Sequence, residues 1–450
     1  MSSQRISQRH RELLNRTFLD YQHHCDFLAA PLIVERARGL EYWDVEGRRY
    51  LDAIAGVYAA TLGHGHPRVI EAITRQLERL SFAPPMHGTA DVTLDFVERL
   101  GSVTPGSLNF IKSYSGGSES MESALKFARQ YFRQSSRPGK YKFISRYHGY
   151  HGATMGAMAA SGTGARKTPF EPAPTGFLKV LPPTYYRDRF DSWEECNRFS
   201  ARLFEDVIIH EDPDTVAGII LEPVSNTGGV ITPTDEYFQI LRDICDRYDV
   251  LLIFDEIITA FGRTGSMFAA QTYGVTPDII CGGKGLSSGT VPLGAMMARA
   301  DMADAFLDPA LGSFAHGHTY SGHPVGAAAG IAVMDEISEH ALDVRARKLG
   351  ERMANRLEGL RQYGVVREVR GKGLFRGVEL VREDSGNQPF HELGRALKRT
   401  ALANGLILRV DPGWFAAGPA LTATEAEIDE ICDLIERSLL DAIEQVGSGR

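Results

Sequence analysis

Two apolar runs in the second half of the chain end abruptly in residues that can carry out chemistry. The run Val250–Phe254 is followed directly by Asp255 and Glu256, and the run Ile279–Cys281 is followed by two glycines and Lys284. Continuous apolar runs of this length are typical of strands buried on both faces of a parallel sheet. Ligands of open α/β sheets bind beyond the carboxyl ends of the strands. We therefore expect the Lys284 amine to face the strand-end carboxylate of Asp255.

The same alternation of strand and helix patterns occupies the residues before this stretch. Residues 107–133 pass from a strand through a glycine–serine turn into an amphipathic helix, and Tyr141–Ser145 predicts a further strand. Ala217–Leu221 is another buried run, and it ends in the carboxylate of Glu222. Residues 162–215 are rich in Pro, Arg and Asp, and we interpret them as surface excursions. The repeated pattern predicts an α/β fold with a mainly parallel sheet and helices on both faces.

The two ends of the chain have different patterns, which indicate a second, smaller domain. Residues 40–52 predict a β-hairpin, and residues 327–360 have the pattern of a long helix that leaves the large domain. Residues 366–381 alternate like half-buried strands, and Thr424 and Glu427 form a capping box before a final helix. We therefore predict an N-terminal segment, 1–75, that contributes to the small domain, a large cofactor-binding domain, 76–334, and a C-terminal small domain, 335–450.

Composition argues against several classes of partner. The chain has 450 residues and a net charge of −8, so it lacks the basic excess that nucleic-acid binding requires. No apolar run approaches the roughly 18–20 residues that span a bilayer, and the polar N-terminus does not have the pattern of a signal peptide. The five cysteines are scattered without CxxC spacing, which is typical of reduced thiols. We expect a cytoplasmic protein that binds neither nucleic acid nor a membrane.

Two groups of histidines raise the question of a metal site. His23 and His24 stand beside Cys25, and His64 and His66 form an H-x-H pair. Adjacent ligands do not have the spacing of a zinc site, and the second pair has no third ligand near it in the sequence. We therefore expect no metal, and we interpret His64 and His66 as hydrogen-bonding residues of a loop.

A glycine–serine turn adds a candidate phosphate site to the lysine and the aspartate. Ser115–Ser118 opens a predicted helix, where backbone N–H groups and the Ser118 hydroxyl can donate to an anion. Lys284, framed by small residues, can lose its solvent and become nucleophilic. A tyrosine of the glycine-rich loop 146–162 can stack on an aromatic ring. Pyridoxal 5′-phosphate would use all four features, although an unrelated α/β enzyme with a catalytic lysine remains the alternative at this point.

From about residue 32 to residue 436 the chain resembles the class III pyridoxal-phosphate-dependent aminotransferases. The motifs that carry the resemblance are YWDVEGRRYLDAIAG, LGHGHPRV, SGGSESMESALKFAR, YHGATMGA, ILEPVSNTGGVI, LLIFDEIITAFGRTG, PDIICGGKGLSSG, PLGA, HGHTYSGHP and VRGKGLFRGVEL. The resemblance implies fold type I, with a large domain on a mostly parallel seven-stranded sheet. It also implies a smaller α+β domain built from the N- and C-terminal segments, and pyridoxal 5′-phosphate as the cofactor.

The resemblance implies a role for each residue at a matching position. Lys284 would form a Schiff base with the cofactor and later move the proton between the substrate Cα and the cofactor carbon. Asp255 would pair with the pyridinium nitrogen, and Tyr150 and Ile257 would pack on opposite faces of the ring. The remaining cofactor-binding positions are Gly117 and Ser118 at the phosphate, His151 beside Tyr150, Glu222 as a hydrogen-bonding support, and Thr319. Thr319 would reach the phosphate of the partner subunit, which implies a homodimer with shared active sites, with a tetramer as the alternative.

Departures from the family pattern bear on the substrate. Ile258 stands where many members have a glutamine that contacts the cofactor hydroxyl, as in many ω-transaminases. Ala416 stands where members that act on α-carboxylates often have an arginine. Arg409 matches the mobile arginine with which ω-transaminases bind the carboxylate of pyruvate or an amino acid, and a guanidinium suits that group. We predict that Tyr58 and Trp414 are aromatic walls of the substrate pocket.

The expected activity is that of a cytoplasmic ω-aminotransferase. It would pass an amino group from a primary amine or an ω-amino acid to the cofactor, and then to a keto acid such as pyruvate. One alternative is a class III relative with another reaction, namely a dialkylglycine-decarboxylase-like enzyme, a racemase or an aminomutase. The decarboxylase's tryptophan-containing ring-stacking motif is absent, because Tyr150 stands there. The other alternative is a non-catalytic protein that retains the fold, and the intact Lys284 and Asp255 argue against it.

Overall fold

The structure is a computed structural model that describes residues 6–382, residue 386 and residues 388–447. Its strands are β1 Val34–Arg38, β2 Glu41–Asp44, β3 Arg49–Asp52, β4 Phe110–Tyr114, β5 Lys142–Arg146, β6 Phe177–Val180, β7 Val216–Leu221, β8 Leu251–Asp255, β9 Ile279–Gly282, β10 Gly294–Ala298, β11 Val366–Gly371, β12 Arg376–Arg382, β13 Gln388–Pro389, β14 Leu406–Ile407, β15 Arg409–Asp411 and β16 Trp414–Ala417. Its α-helices are α1 Gln8–Leu14, α2 His24–Ala29, α3 Ala55–Tyr58, α4 Pro67–Arg79, α5 Asp91–Gly101, α6 Gly117–Gln134, α7 Met155–Ala160, α8 Pro183–Tyr186, α9 Trp193–His210, α10 Asp235–Tyr248, α11 Ala269–Tyr273, α12 Asp304–Leu307, α13 Pro324–Glu339, α14 Leu342–Glu358, α15 His391–Ala403 and α16 Glu425–Gly447. None of these described helices is long and apolar enough to cross a membrane.

Seven strands form the central sheet, in the order β4-β10-β9-β8-β7-β5-β6. The strands from β9 to β6 run parallel, while β10 is antiparallel to both of its neighbours. Every residue of β7, β8 and β9 is buried, which explains the unbroken apolar runs of the sequence. Asp255 pairs with Cys281, so the strand ends that carry Asp255 and Lys284 lie side by side. The predicted α/β class and seven-stranded sheet are confirmed.

Two smaller sheets contain strands from the ends of the chain. The first has the order β1-β2-β3-β14, in which Leu406 of β14 pairs in parallel with Leu51 of β3. The second has the order β11-β12-β16-β15, and β13 pairs with β12. The first sheet thus joins strands from both ends of the chain, while the contribution of residues 1–75 to a small domain stays a prediction. The boundary at residue 334 stays a prediction, since α13 continues through it.

Two local predictions are confirmed, and a third is confirmed in part. β2 and β3 pair as the predicted hairpin. The capping box forms at the start of α16, where the Thr424 N–H donates to Glu427 Oε2 at 2.7 Å and the Glu427 N–H donates to Thr424 Oγ1 at 3.2 Å. The prediction of hydrogen-bonding loop histidines is confirmed for His64 only, whose Nε2 lies 2.9 Å from the buried Asp52 Oδ2. Among the described residues, the His66 ring makes no hydrogen bond, and its Nε2 lies 3.6 Å from Glu336 Oε1.

The interpretation of residues 162–215 as surface excursions is wrong for two of their elements. β6 is the edge strand of the central sheet and pairs in parallel with β5. α9 packs against α10 through a buried face that includes Cys196, Phe204 and Ile208. The composition of the segment did not indicate this buried face, because composition averages over the charged residues on the exposed face of α9 and the apolar residues that it buries.

The single long helix expected within residues 327–360 is wrong as well, because the structure has two helices there. α13 ends before His340, and α14 begins after Ala341, whose φ of 48° lies in the left-handed region. An α-helix cannot continue through that conformation. Neither glycine nor proline stands at the break, and apolar positions continue on both sides of it. The hydrophobic pattern therefore has no signal for the interruption.

α14 approaches the turn between β11 and β12 through a glycine. A Cβ added at Gly350 would lie 1.9 Å from the carbonyl oxygen of Gly373. That oxygen belongs to the backbone, so the helix or the turn would have to move. Gly359 follows the same helix with a φ of −58°, and a Cβ added there would have no neighbour within 4 Å. The two glycines therefore form a matched pair for testing helix packing.

We predict that Gly350→Ala lowers the free energy of unfolding by about 1–3 kcal/mol, because overpacking outweighs the better helix propensity of alanine. Gly359→Ala should be neutral or slightly stabilising, since it restricts the unfolded chain without a clash. Denaturant unfolding of both variants measures the difference. Equal stability of the two variants would contradict the close approach of α14 to Gly373.

Candidate active site

The glycine–serine turn leads into α6 and leaves the start of that helix open to a ligand. Gly116 precedes α6, and no described side chain caps the helix at this end. The first N–H groups of a helix have no partner within it and favour an anion. The Ala153 N–H donates to Ser118 Oγ at 3.0 Å, so the Ser118 hydrogen can itself be donated. The turn therefore collects the donors that a phosphate requires.

Ile257 lies between this turn and the lysine turn. A Cβ added at Gly117 would lie 2.9 Å from Ile257 Cδ1. A Cβ added at Gly283 would lie 3.1 Å from the same atom and 3.6 Å from Gly117 Cα. Any larger residue at these glycines would displace Ile257. Because Gly117 and Gly283 have no side chains, the start of α6 and the residue before Lys284 both pack directly against Ile257.

Asp255 ends β8 with a buried carboxylate whose orientation is fixed. Its Oδ2 lies 2.7 Å from His151 Nδ1, and its Oδ1 accepts a hydrogen bond from the Ile257 N–H at 3.1 Å. Since an ionised carboxylate only accepts, the Nδ1 of His151 is the donor. The Nε2 of His151 is buried and has no partner among the described residues. The carboxylate keeps lone pairs that can accept from a protonated ring nitrogen.

Lys284 stands in a strained turn directly after β9. Its φ is 41°, in the left-handed region, and it begins the short 3₁₀ turn Lys284–Ser287. The Leu62 N–H donates to Ser288 Oγ at 2.9 Å, so the N-terminal part of the chain holds this turn in place. Such conformations persist where the surroundings determine them, and they are common at active sites.

The environment of the Lys284 amine lowers its pKa. Burial is the main cause, and the negative charges of Asp255 and Glu222 oppose it. The positive charges of Arg409 and Arg166 lower the pKa further. Because the net shift is downward, more of this amine is neutral than in a lysine exposed to solvent. A neutral amine is both a nucleophile and a base.

A hydrogen-bond chain joins Tyr150 to Tyr58 through Glu222. The Tyr150 N–H donates to Glu222 Oε1 at 2.6 Å, and the Asn226 N–H donates to Glu222 Oε2 at 3.1 Å. The Tyr58 hydroxyl donates to Asn226 Oδ1 at 3.1 Å. Burial raises the pKa of Glu222, and the charge of His151 opposes that shift. Tyr58 is only 1% exposed, so its role as a pocket wall stays a prediction.

Arg409 lies on β15 and is already paired. Its Nε lies 2.6 Å from Asp411 Oδ2, and its guanidinium carbon lies 5.7 Å from the centroid of the Trp414 ring. Its charge acts on the pKa of Lys284, so the guanidinium is within electrostatic reach of that amine. The remaining N–H groups of Arg409 can donate to a carboxylate. The predicted substrate residues Arg409 and Trp414 therefore lie together, at the side of the site formed by β15 and β16.

Thr319 follows His318, whose ring centroid lies 5.4 Å from that of Tyr114, the residue before the glycine–serine turn. It is exposed, on the segment between α12 and α13. The carbonyl oxygen of His316, in the same segment, accepts a hydrogen bond from Lys112 Nζ at 2.9 Å. The contact of Thr319 with a partner's phosphate stays a prediction.

The site also contains residues that the sequence interpretation did not single out. Asn226 links two predicted site residues, and it stands in the quoted motif ILEPVSNTGGVI. The guanidinium carbon of Arg166 lies 5.0 Å from the centroid of the Tyr150 ring, and the Tyr21 hydroxyl lies 3.3 Å from the Tyr150 hydroxyl. Arg166 comes from the segment interpreted as a surface excursion, and Tyr21 comes from near the N-terminus. No local pattern connects two such distant residues.

The chain matches known proteins over most of its length. The family model described as aminotransferase class-III matches residues 25–439. A probable aminotransferase of Mycobacterium tuberculosis is 39% identical over 433 residues, which cover 94% of this chain and 92% of that protein. An omega-aminotransferase of Caulobacter vibrioides is 35% identical over 420 residues, which cover 92% of this chain and 94% of that protein. The predicted resemblance is therefore confirmed.

A solved structure extends the agreement to three dimensions. The omega transaminase from Pseudomonas jessenii, in complex with PMP, has a TM-score of 0.94 and 32% identity. The match covers 99% of this chain and 100% of that chain, which confirms fold type I. The predicted cofactor is confirmed with the family, because class-III aminotransferases use pyridoxal 5′-phosphate. The chain therefore belongs to the class-III aminotransferases and is a pyridoxal-phosphate-dependent aminotransferase.

Proposed function

We propose that this enzyme takes an amino group from a primary amine or an ω-amino acid and delivers it to a keto acid, with pyruvate as the acceptor. The observation that carries the proposal is the placement of Lys284 directly after β9, next to β8, which ends in the buried Asp255 carboxylate. Transamination with this cofactor requires a nucleophilic amine and an anion at the ring nitrogen. The alanine at position 416 and the arginine at position 409 favour the ω-transaminase branch of the family.

The donors at the start of α6 and the free lone pairs of Asp255 fit pyridoxal 5′-phosphate. Gly117 and Ser118 would hold its phosphate, and Asp255 would keep its ring nitrogen protonated. Tyr150 and Ile257 would pack on the two faces of the ring. When bound, the cofactor supplies an aldehyde that condenses with amines and a ring that accepts the electrons of the substrate Cα–H bond.

Lys284 would have two tasks in this site. Its ε-amine would hold the cofactor by condensing with the aldehyde. As a free amine it would be the base that takes a proton from the substrate Cα, and its conjugate acid would return a proton. The lowered pKa supports both tasks, because each needs the neutral amine.

His151 and Glu222 would act through other residues. The Nδ1 of His151 fixes the orientation of the Asp255 carboxylate, and that orientation decides whether the carboxylate meets the ring nitrogen. Glu222 accepts a hydrogen bond from the backbone N–H of Tyr150 and so fixes the backbone that carries that ring. We therefore propose both as positioning residues.

Arg409 supports a keto acid as the acceptor. A guanidinium binds a carboxylate through two parallel hydrogen bonds. To do so fully, Arg409 would exchange its ion pair with Asp411 for one with the substrate. An amine donor without a carboxylate does not need the guanidinium, so the ion pair of Arg409 with Asp411 can persist while that donor reacts. The pocket could then accept both kinds of substrate, with Trp414 as an apolar wall beside the guanidinium.

An exposed apolar patch supports a homodimer with shared active sites, with a tetramer as the larger alternative. We use this name for the exposed apolar residues Leu77, Leu80, Phe82 and Met86, which lie close together in the chain, and for Tyr320, whose ring contacts Phe82; Met86 is 92% exposed. The rings of Phe82 and Tyr320 lie 6.3 Å apart, next to Thr319 in the chain. Patches of this kind mark protein–protein interfaces. A second subunit on the patch would bring Thr319 close to a neighbouring active site.

The cysteines support a cytoplasmic location. All five are free thiols, and four of them are buried. Burial raises the pKa of Cys245, Cys281 and Cys432, so these thiols resist oxidation. Free thiols are typical of proteins in reducing compartments such as the cytoplasm.

Lys284→Ala should reduce alanine formation from pyruvate and a primary amine by more than about 1,000-fold, since the nucleophile and the base are lost together. The variant should also lose the visible absorbance of lysine-bound cofactor. Lys179→Met is the matched control, because burial lowers the pKa of that lysine to about 7 while its Nζ donates to the Ala159 carbonyl oxygen instead. Undiminished transamination in Lys284→Ala would refute the proposal. A racemase or an aminomutase would form no alanine in the wild type, and a protein that stays colourless with added cofactor would be non-catalytic.

The stability of the cofactor-free protein should depend on pH through Lys284. The folded-state pKa is lowered, so between that pKa and the usual value of about 10.4 the unfolded state binds more protons. The free energy of unfolding should therefore rise with pH through that window. Other lysines with a lowered pKa, such as Lys179, contribute to the rise in both proteins. Lys284→Met should therefore show a smaller rise than the wild type, and unfolding curves between about pH 7 and pH 10 measure the difference. Parallel curves for wild type and variant would mean that the amine is not desolvated.

Charge introduced into the apolar patch should separate the subunits. Phe82→Asp combined with Met86→Asp is expected to weaken self-association by about 100-fold, as loss of central interface residues usually does. Sedimentation velocity measures the change, and cofactor release from the resulting monomers tests the contribution of Thr319. Leu440→Asp, at an exposed apolar residue of α16, is the control. An intact dimer in the double variant would exclude this patch as the interface.

A further inference from the structure

The guanidinium of Arg166 is held between two tyrosine rings, one of which is Tyr150 of the candidate site. It ends the short 3₁₀ turn Gly164–Arg166. Its guanidinium carbon lies 4.1 Å from the centroid of the Tyr21 ring and 5.0 Å from that of Tyr150. The two tyrosine hydroxyls lie 3.3 Å apart, which fixes the rings relative to each other. Cation–π contacts of this kind hold a cation without neutralising it.

Among the described residues, Arg166 has no hydrogen-bond acceptor and no acidic partner, although it is half-buried. Its neighbour Lys167 pairs with Glu171 at 3.3 Å, and Arg409 across the site pairs with Asp411. A guanidinium donates its hydrogens in its own plane, at the edges. Contacts with its faces leave those edges open. Arg166 is therefore a positioned cation with its whole donor set available.

The charge of Arg166 acts on the reacting centre. It packs over Tyr150, the ring proposed to cover the cofactor, and it contributes to the lowered pKa of Lys284, which burial mainly causes. A ligand between Lys284 and Arg166 would thus place an amine at one end and an acceptor of hydrogen bonds at the other. Arg409 is a weaker competitor for an anionic group, because Asp411 already neutralises it in part.

We propose that Arg166 binds the carboxylate at the far end of an ω-amino acid donor, so that the preferred donors are amines with a remote acidic group. The inference rests on the proposed transamination and names its donor class. The carboxylate would accept two parallel hydrogen bonds from the guanidinium edge, the strongest geometry available to this pair. Arg409 would then serve the keto acid in the second half of the reaction, and each acid would have its own arginine.

The experiment compares 4-aminobutyrate with n-butylamine, which has the same chain length without the carboxylate. Arg166→Met keeps the apolar stem that packs on the tyrosines and removes the charge. In this variant we expect the KM for 4-aminobutyrate with pyruvate to rise roughly 10- to 100-fold. Any change that follows from the altered charge near Lys284 should affect 4-aminobutyrate and n-butylamine equally, so the ratio of their kcat/KM values reports the carboxylate contact. Arg166→Lys should recover part of the lost affinity for 4-aminobutyrate, because lysine restores the positive charge but cannot form the two parallel hydrogen bonds of a guanidinium. Lys167→Met, which removes the adjacent charge, should resemble the wild type.

A binding measurement is independent of turnover. Calorimetric binding of butyrate to the holoenzyme should weaken at least about tenfold in Arg166→Met and stay unchanged in Lys167→Met. Equal losses for both donors, or wild-type preference for n-butylamine, would overturn the inference while leaving transamination intact. If the wild type formed no alanine with any donor, the proposed function would fail. Butyrate binding would then still decide whether Arg166 is a carboxylate site, and unchanged affinity in Arg166→Met would refute it.

Discussion

The buried pair of Asp255 and His151 is the interaction on which the rest of the site depends. A carboxylate at the end of a fully buried strand loses the solvation that normally stabilises it, so it needs fixed partners. His151 Nδ1 and the Ile257 N–H supply them and determine where the carboxylate points. Lys284 emerges from the neighbouring strand, and its pKa responds to the same buried charge.

Different parts of the chain supply the close packing and the charged groups of the site. Glycines at the start of α6 and before Lys284 let three loops approach within van der Waals distance around Ile257. The N-terminal segment holds the lysine turn, and β15 and β16 bring Arg409 and Trp414 from the C-terminal part. Because the site draws on all three segments, its geometry exists only when the whole chain is folded. The two arginines differ chiefly in whether an acid of the protein already occupies them.

Much of the fold could be predicted because buried parallel strands leave continuous apolar runs. The ends of β7 and β8, with Glu222 and Asp255, were located within a residue or two for that reason. The break at Ala341 and the buried face of α9 were missed, since each depends on packing against other elements rather than on a local residue type. A left-handed alanine has no signature in a hydrophobic pattern.

The sequence by itself determined the fold class and the cofactor, because those depend on residue types in a fixed order along short motifs, and the same motifs single out Lys284 as the proposed Schiff-base lysine. Only the tertiary structure decided which partners those residues have. It paired His151 with Asp255 and set Arg166 between Tyr21 and Tyr150, across separations that no local pattern spans. The physical reason is that hydrogen bonds and electrostatic interactions depend on distance in space, and distant segments acquire such distances only when the core is packed.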